Sequence, residues 1–142
     1  HPAIIRKGNI VYIAHALDFM YFHMGARVHR DVFHSALNLV HERPMVKAGL
    51  PSSGRINLLH QPENSRYVLH LLYATPIQRG AAQVIEDLVP IYNTDVEIDL
   101  PVEVKMAYTI PGNEKIELVY ADGVARAVIP EFTAHTALVL EY

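Results

Sequence analysis

The run RYVLHLLYA over residues 66–74 constrains this chain more than any other stretch. It is apolar almost throughout, rich in branched and aromatic residues, and closed by turn formers on both sides: Gln61-Pro62-Glu63-Asn64-Ser65 before it and Thr75-Pro76 after it. A short continuous apolar run between turns reads as a strand covered on both faces, and the closeness of the turns argues against a helix. Such a strand needs partners, and the sequence after it supplies them.

From residue 55 onward the helical period is lost. Residues 55–60 alternate through Ile56 and Leu58. Residues 75–82 read as a loop with Pro76 and Gly80, and 84–88 as a short strand. Residues 96–100 alternate acidic and apolar. Val102, Val104, Met106 and Tyr108 alternate with Glu103, Lys105 and Ala107, the pattern of a strand wetted on one side. Pro111-Gly112-Asn113 marks a turn, and Ile116, Leu118 and Tyr120 alternate again. Asp122-Gly123 between apolar runs is the strongest short hairpin signal in the chain. It predicts a returning strand over 124–129, closed by Pro130, with a last strand over 134–141. Seven or so short strands with frequent turns predict a β-sandwich.

The first third is different. Residues 9–14 read as a buried strand, followed by helix-compatible residues 15–24 that stop at Gly25. Residues 26–41 are the best helix. Val28, Val32, Ala36, Leu39 and Val40 recur at three- and four-residue spacings, Phe33 and Leu37 widen the stripe, and Pro44 ends it. The stripe is expected to pack on the strand at 10–14. A strand followed by helices resembles one unit of an α/β layer, which cannot bury its own faces. The cluster Pro44, Gly49, Pro51, Ser52, Ser53 and Gly54 marks a boundary, with Val46 as the start of a short strand. The expected fold class is therefore α+β: a partial α/β unit over 1–44, then an antiparallel β-sandwich over 52–142.

Bulk properties exclude several classes. With 142 residues the chain buries a core of its own, at about two-thirds of its extended surface. Half of it is apolar (51%) and 19% charged, the balance of a globular protein. A net charge of −3 gives no field to draw nucleic acid or an anionic membrane, so neither is an expected partner. The absence of cysteine excludes disulfides and thiolate metal sites but leaves the compartment open. No apolar run reaches membrane-spanning length, and no signal peptide is apparent. Residue 1 is His, so the chain reads as processed or as a piece of something longer.

Chemistry-bearing residues are present without a chemical pattern. There are nine histidines, but none share a helix face at a spacing of three or four with a carboxylate near, as a helical metal pair requires. His29 and His34 are five apart, and His34 and His41 seven. His70, inside the apolar run, reads as a hydrogen-bonded core residue. Asp95, Glu97 and Asp99 would share one face of a strand, more simply a solvated stripe than the two opposed acids of glycoside hydrolysis or a calcium loop. Glu86-Asp87 is a second acidic pair. Ser52-Ser53-Gly54 and Lys7-Gly8-Asn9 are too short for a nucleophile elbow or a phosphate loop. A sugar-binding platform needs exposed aromatic faces. The chain has no Trp, and Tyr92 and Tyr142 are isolated.

Several stretches do resemble a family. Gly8-Asn9-Ile10-Val11-Tyr12-Ile13, the spacing Phe19-x-Tyr21-Phe22-x-x-Gly25, and His29-Arg30 with Ala36-Leu37 resemble the end of the trimerisation domain in bacterial glycosidases related to the beta-galactosidases. Leu50-Pro51-Ser52, the 66–73 run, Thr75-Pro76, Arg79-Gly80, Val84-Ile85-Glu86-Asp87, Pro90 and the segment 130–141 resemble the β-sandwich that follows it. The resemblance implies a flavodoxin-like layer for the first part. It also implies catalytic acids on a TIM barrel toward the amino-terminal side. A barrel needs about 250 residues, so none is carried by this chain. No catalytic, cofactor-binding or metal residue is therefore assigned, and no cofactor is expected. The chain is expected to be a non-catalytic carboxy-terminal fragment of a glycoside hydrolase with a structural or oligomer-contact role. Its expected partners are the rest of that glycosidase or further copies of itself. The second reading is a free-standing carbohydrate-binding module, marked by a row of exposed tyrosines on one sandwich face.

Overall fold

The computed structural model describes residues 2–142. The chain divides into two compact units, His1–Pro44 and Met45–Tyr142.

The first unit opens with β1 (Ile4–Lys7) and β2 (Ile10–Ile13), an antiparallel hairpin around Gly8, whose φ of 59° suits a residue without a Cβ. The strand expected at 9–14 is thus present, but it pairs antiparallel with a strand that was not foreseen, and its side chains alternate between exposed and half-buried. Short strands of polar and apolar residues mixed, such as Ile4-Ile5-Arg6-Lys7, carry little periodicity to read. Two helices follow, α1 (Leu17–Met24) and α2 (Arg27–Asn38). Gly25 ends α1 in the left-handed region, and its amide reaches the Tyr21 carbonyl at 2.9 Å. The second helix stops three residues short of the expected 41. Only Ala36 is buried here among the described residues.

The second unit holds two four-stranded antiparallel sheets. One runs β4 (Arg55–Gln61), β5 (Arg66–Leu72), β12 (His135–Glu141), β9 (Met106–Ile110). The other runs β10 (Val119–Ala121), β11 (Val124–Phe132), β8 (Ile91–Ile98), β3 (Val46–Ala48). A small hairpin, β6 (Ile77–Arg79) and β7 (Ala82–Val84), lies between β5 and β8 in sequence.

The sheets pack face to face through alternate residues, as the pleat requires. Tyr67, Leu69 and Leu71 of β5 and Leu138 and Leu140 of β12 meet Val96 and Ile98 of β8 and Ala125, Ala127 and Ile129 of β11. Fully burying one such Leu or Ile is worth about 1.5–3 kcal/mol. A smaller cluster, Val68, Ala137 and Val139 with Tyr108, covers the opposite face of the first sheet. Burial on both faces explains why the 66–74 run is apolar in both registers.

Asp122-Gly123 makes the expected hairpin: both residues have positive φ (54° and 75°), and Ala121 pairs with Val124. The β8–β11 ladder skips Pro130, which has no amide to donate, opposite Asn93 at φ 50°. β11 therefore continues past Pro130 to Phe132 instead of closing there. Other boundaries move too: the alternation at 96–100 belongs to a strand that begins at Ile91, and of the alternation at 116–120 only the end lies in a strand, β10. Gly80 turns the expected loop at 75–82 into a hairpin, the strand expected over 84–88 ends at Val84, and the strand expected from Val102 begins only at Met106.

Candidate functional site

The acidic stripe lies where strand alternation puts it. Asp95 and Glu97 project outward from β8, and Asp99 follows the strand's end. Glu97 is opposite both Lys47 and Arg126 in the ladders, and its carboxylate lies 3.5 Å from Lys47 Nζ and 3.4 Å from Arg126 Nε. The hydrogen bond from Arg126 and then the charge of Lys47 hold the Glu97 carboxyl below its ordinary value of 4.5. An open groove of about 550 Å³ runs over this face, lined by Asp95, Glu97, Glu117, Arg126, Val119 and Val128. Glu86 is gripped by both arms of Arg79 at 2.9 and 2.7 Å, which lowers its carboxyl as well. Glu97 and Glu86 thus serve as partners of cations, not as an opposed acid pair.

The histidines are dispersed. His34 Nδ1 lies 3.4 Å from Asn38 Nδ2 on the surface of α2, and the buried Nδ1 of His29 has no partner among the described residues. His60 stacks on Tyr67 with ring centroids 4.2 Å apart and reaches the Tyr142 hydroxyl at 3.0 Å. His70, expected to be hydrogen-bonded, lies 3.0 Å from His135 across β5 and β12. Sequence spacing could not pair two residues 65 positions apart. Among the described residues no three histidines or carboxylates converge as metal ligands would.

The tyrosines of the second unit form no row. Tyr67 is in the core, Tyr73 and Tyr142 pack against it, and Tyr108 donates to Glu141 at 3.0 Å. Tyr120 is held through its hydroxyl by Val104, and Tyr92 stands exposed. The short glycine motifs are turns: Gly54 donates to the Pro51 carbonyl at 2.7 Å, and Lys7-Gly8-Asn9 closes the first hairpin.

The most distinctive surface is apolar and lies in the first unit. Ile10, Val11 and Ile13 of the hairpin and Phe33, Ala36, Leu37 and Val40 from α2 and the residues after it line an open groove of about 350 Å³. Four residues of the expected helix stripe thus share the groove with the expected strand, Phe33 and Leu37 among them still exposed, and Val28, Val32 and Leu39 lie outside it. Phe19, Phe22 and Met24 of α1 are 61%, 83% and 69% exposed, more apolar surface than so small a unit ordinarily leaves wet.

No family model matches the chain, and no curated protein matches it. Among solved structures, alpha-L-fucosidase isoenzyme 2 from Paenibacillus thiaminolyticus superposes with a TM-score of 0.93 at 32% identity. The match covers 99% of this chain and 22% of the fucosidase chain. This chain is thus similar, nearly end to end, to a minor segment of a glycoside hydrolase.

Proposed function

We propose that the chain is a non-catalytic part of a glycoside hydrolase, with a packing and subunit-contact role centred on its first unit. The fucosidase match carries this reading, because almost all of this chain corresponds to about a fifth of that enzyme. The carboxylates agree with it: Glu97 and Glu86 are committed to cations on outward surfaces, whereas glycoside hydrolysis uses two acids facing one cleft. The first unit agrees too, since one buried residue among those described cannot hold a hairpin and two helices together, and its groove and the ring faces of α1 call for a cover. The cover is the remainder of the glycosidase or another subunit. The parent enzyme on this reading is a bacterial glycosidase with a trimerisation domain, and the match favours an α-L-fucoside over a β-galactoside as its substrate.

The test is turnover. The purified chain is assayed with aryl α-L-fucoside and aryl β-galactoside beside the longer protein from the same gene. The expected result is hydrolysis of the fucoside by the longer protein and none by the chain. Hydrolysis by the chain itself overturns the non-catalytic role, and a longer protein inert to every aryl glycoside overturns the glycosidase reading.

A further inference from the structure

We propose that His70 and His135 form a two-imidazole site for a divalent transition-metal ion of the copper or nickel type. Both side chains project from the outward face of the first sheet, from neighbouring strands: Ala137 is opposite His70, and Leu72 is opposite His135, so the two histidines are diagonal neighbours. His70 Nδ1 and His135 Nε2 lie 3.0 Å apart. The ring planes differ by only 14°, and the centroids are 5.3 Å apart. That centroid distance exceeds the N···N distance by about two ring radii, so the rings meet edge to edge, one N–H aimed at the other ring's lone pair.

A metal ion can replace that shared proton. With imidazole–metal bonds of about 2.0–2.1 Å, nitrogens 3.0 Å apart subtend close to a right angle at the ion, whereas a tetrahedral ion holds them about 3.3–3.4 Å apart. Right-angle positions belong to square-planar and octahedral ions, Cu²⁺ and Ni²⁺, more than to tetrahedral Zn²⁺. Each ring swings its lone pair off the N···N line by roughly 45° to reach the ion. The donor ring moves its N–H to its outer nitrogen, so the neutral pair loses no proton overall. His135 is exposed and His70 half-buried, which leaves the ion's other positions to water. The neighbours on this face are Asn57 beside His70, then Val68, Leu72, Ala137 and Val139. The strands themselves hold the two imidazoles close, which gives a chelate its advantage over single histidines.

The full chain, in a His1→Ala background that removes the amino-terminal imidazole as a competitor, is titrated calorimetrically with CuCl₂, NiCl₂ and ZnCl₂ in a non-coordinating buffer. The copper complex is also examined by electron paramagnetic resonance. The expected result is one Cu²⁺ per chain with hyperfine coupling to two nitrogens, affinity falling from Cu²⁺ to Ni²⁺ to Zn²⁺, and at least a ten-fold loss in His135→Gln and in His70→Gln. The melting temperature of each variant without metal reports its fold, and the exposed His135 serves if His70→Gln misfolds. Unchanged copper affinity in folded His135→Gln, or coupling to a single nitrogen, overturns the site. Zn²⁺ binding as tightly as Cu²⁺ overturns the right-angle geometry.

Discussion

The hydroxyl of Tyr120 grips both backbone polar groups of Val104, donating to its carbonyl at 2.8 Å and accepting from its amide at 3.0 Å. Val104 is buried in the irregular segment before β9 and has no strand partner, so the phenol stands in for one. Tyr120 makes this contact from β10, an edge strand of the second sheet, and so ties that strand to the segment leading into β9 of the first.

Replacing Tyr120 by Phe keeps the ring and orphans both groups of Val104. An unsatisfied buried polar group costs about 1–3 kcal/mol, so Tyr120→Phe should lose at least that much stability. Urea unfolding of the variant should show a lower midpoint with an unchanged slope. An unshifted midpoint would mean that water satisfies Val104 and the tie is dispensable.

Thr94 predicts the opposite sign. It is opposite Ile129 on the inward face, 1% exposed, and its hydroxyl has no hydrogen-bond partner among the described residues. Thr94→Val keeps the branched shape and removes the stranded hydroxyl. A gain of about 1 kcal/mol is expected, which for a unit of this size raises the melting temperature by roughly 4–8 °C. A lower melting temperature would show that the hydroxyl is satisfied in solution.

Glu97 sets a pH dependence. Its carboxyl is lowered in the fold by Arg126 first and Lys47 second, so the stability it contributes is present above the ordinary value of 4.5 and is lost as pH falls through the lowered one. The pair is well exposed, so the contribution is modest and weakens with salt. Wild type should therefore melt above Glu97→Gln at pH 7, and the two curves should converge toward pH 3. Parallel curves across the acid range would show that Glu97 gains nothing from its cations.

How much of this was legible follows from which interactions are local. The Asp122-Gly123 hairpin, the Gly25 helix stop and the two-faced burial of β5 are written in adjacent residues or in a period of two, and they stand where the sequence puts them. The hairpin partner of β2, the Tyr120–Val104 grip and the His70–His135 pair depend on register between segments that no local pattern aligns. The helix stripe was half legible. Its period marks an apolar face, and Phe33, Ala36, Leu37 and Val40 of that face line the groove, but only Ala36 is buried among the described residues, because the period does not say how much of the face a partner covers.

That uncovered face yields the last prediction. Phe19, Phe22, Met24 and Val28 are all at least 60% exposed, and the groove of the same unit is lined almost wholly by apolar side chains. In water such a surface draws a cover, worth about 25 cal/mol for each Å² removed from solvent. On the reading proposed above, neighbouring chain covers this surface in a larger glycosidase, and the isolated chain is expected to cover it with further copies of itself. It should therefore self-associate with increasing concentration, and its mass in sedimentation equilibrium should rise above the monomer's 16.0 kDa. Phe19→Ser and Phe22→Ser remove exposed rings without touching the buried Ala36, so both should move association to higher concentration while leaving helix content unchanged. A wild-type chain that stays at 16.0 kDa at every concentration would show that the face is covered within the chain itself.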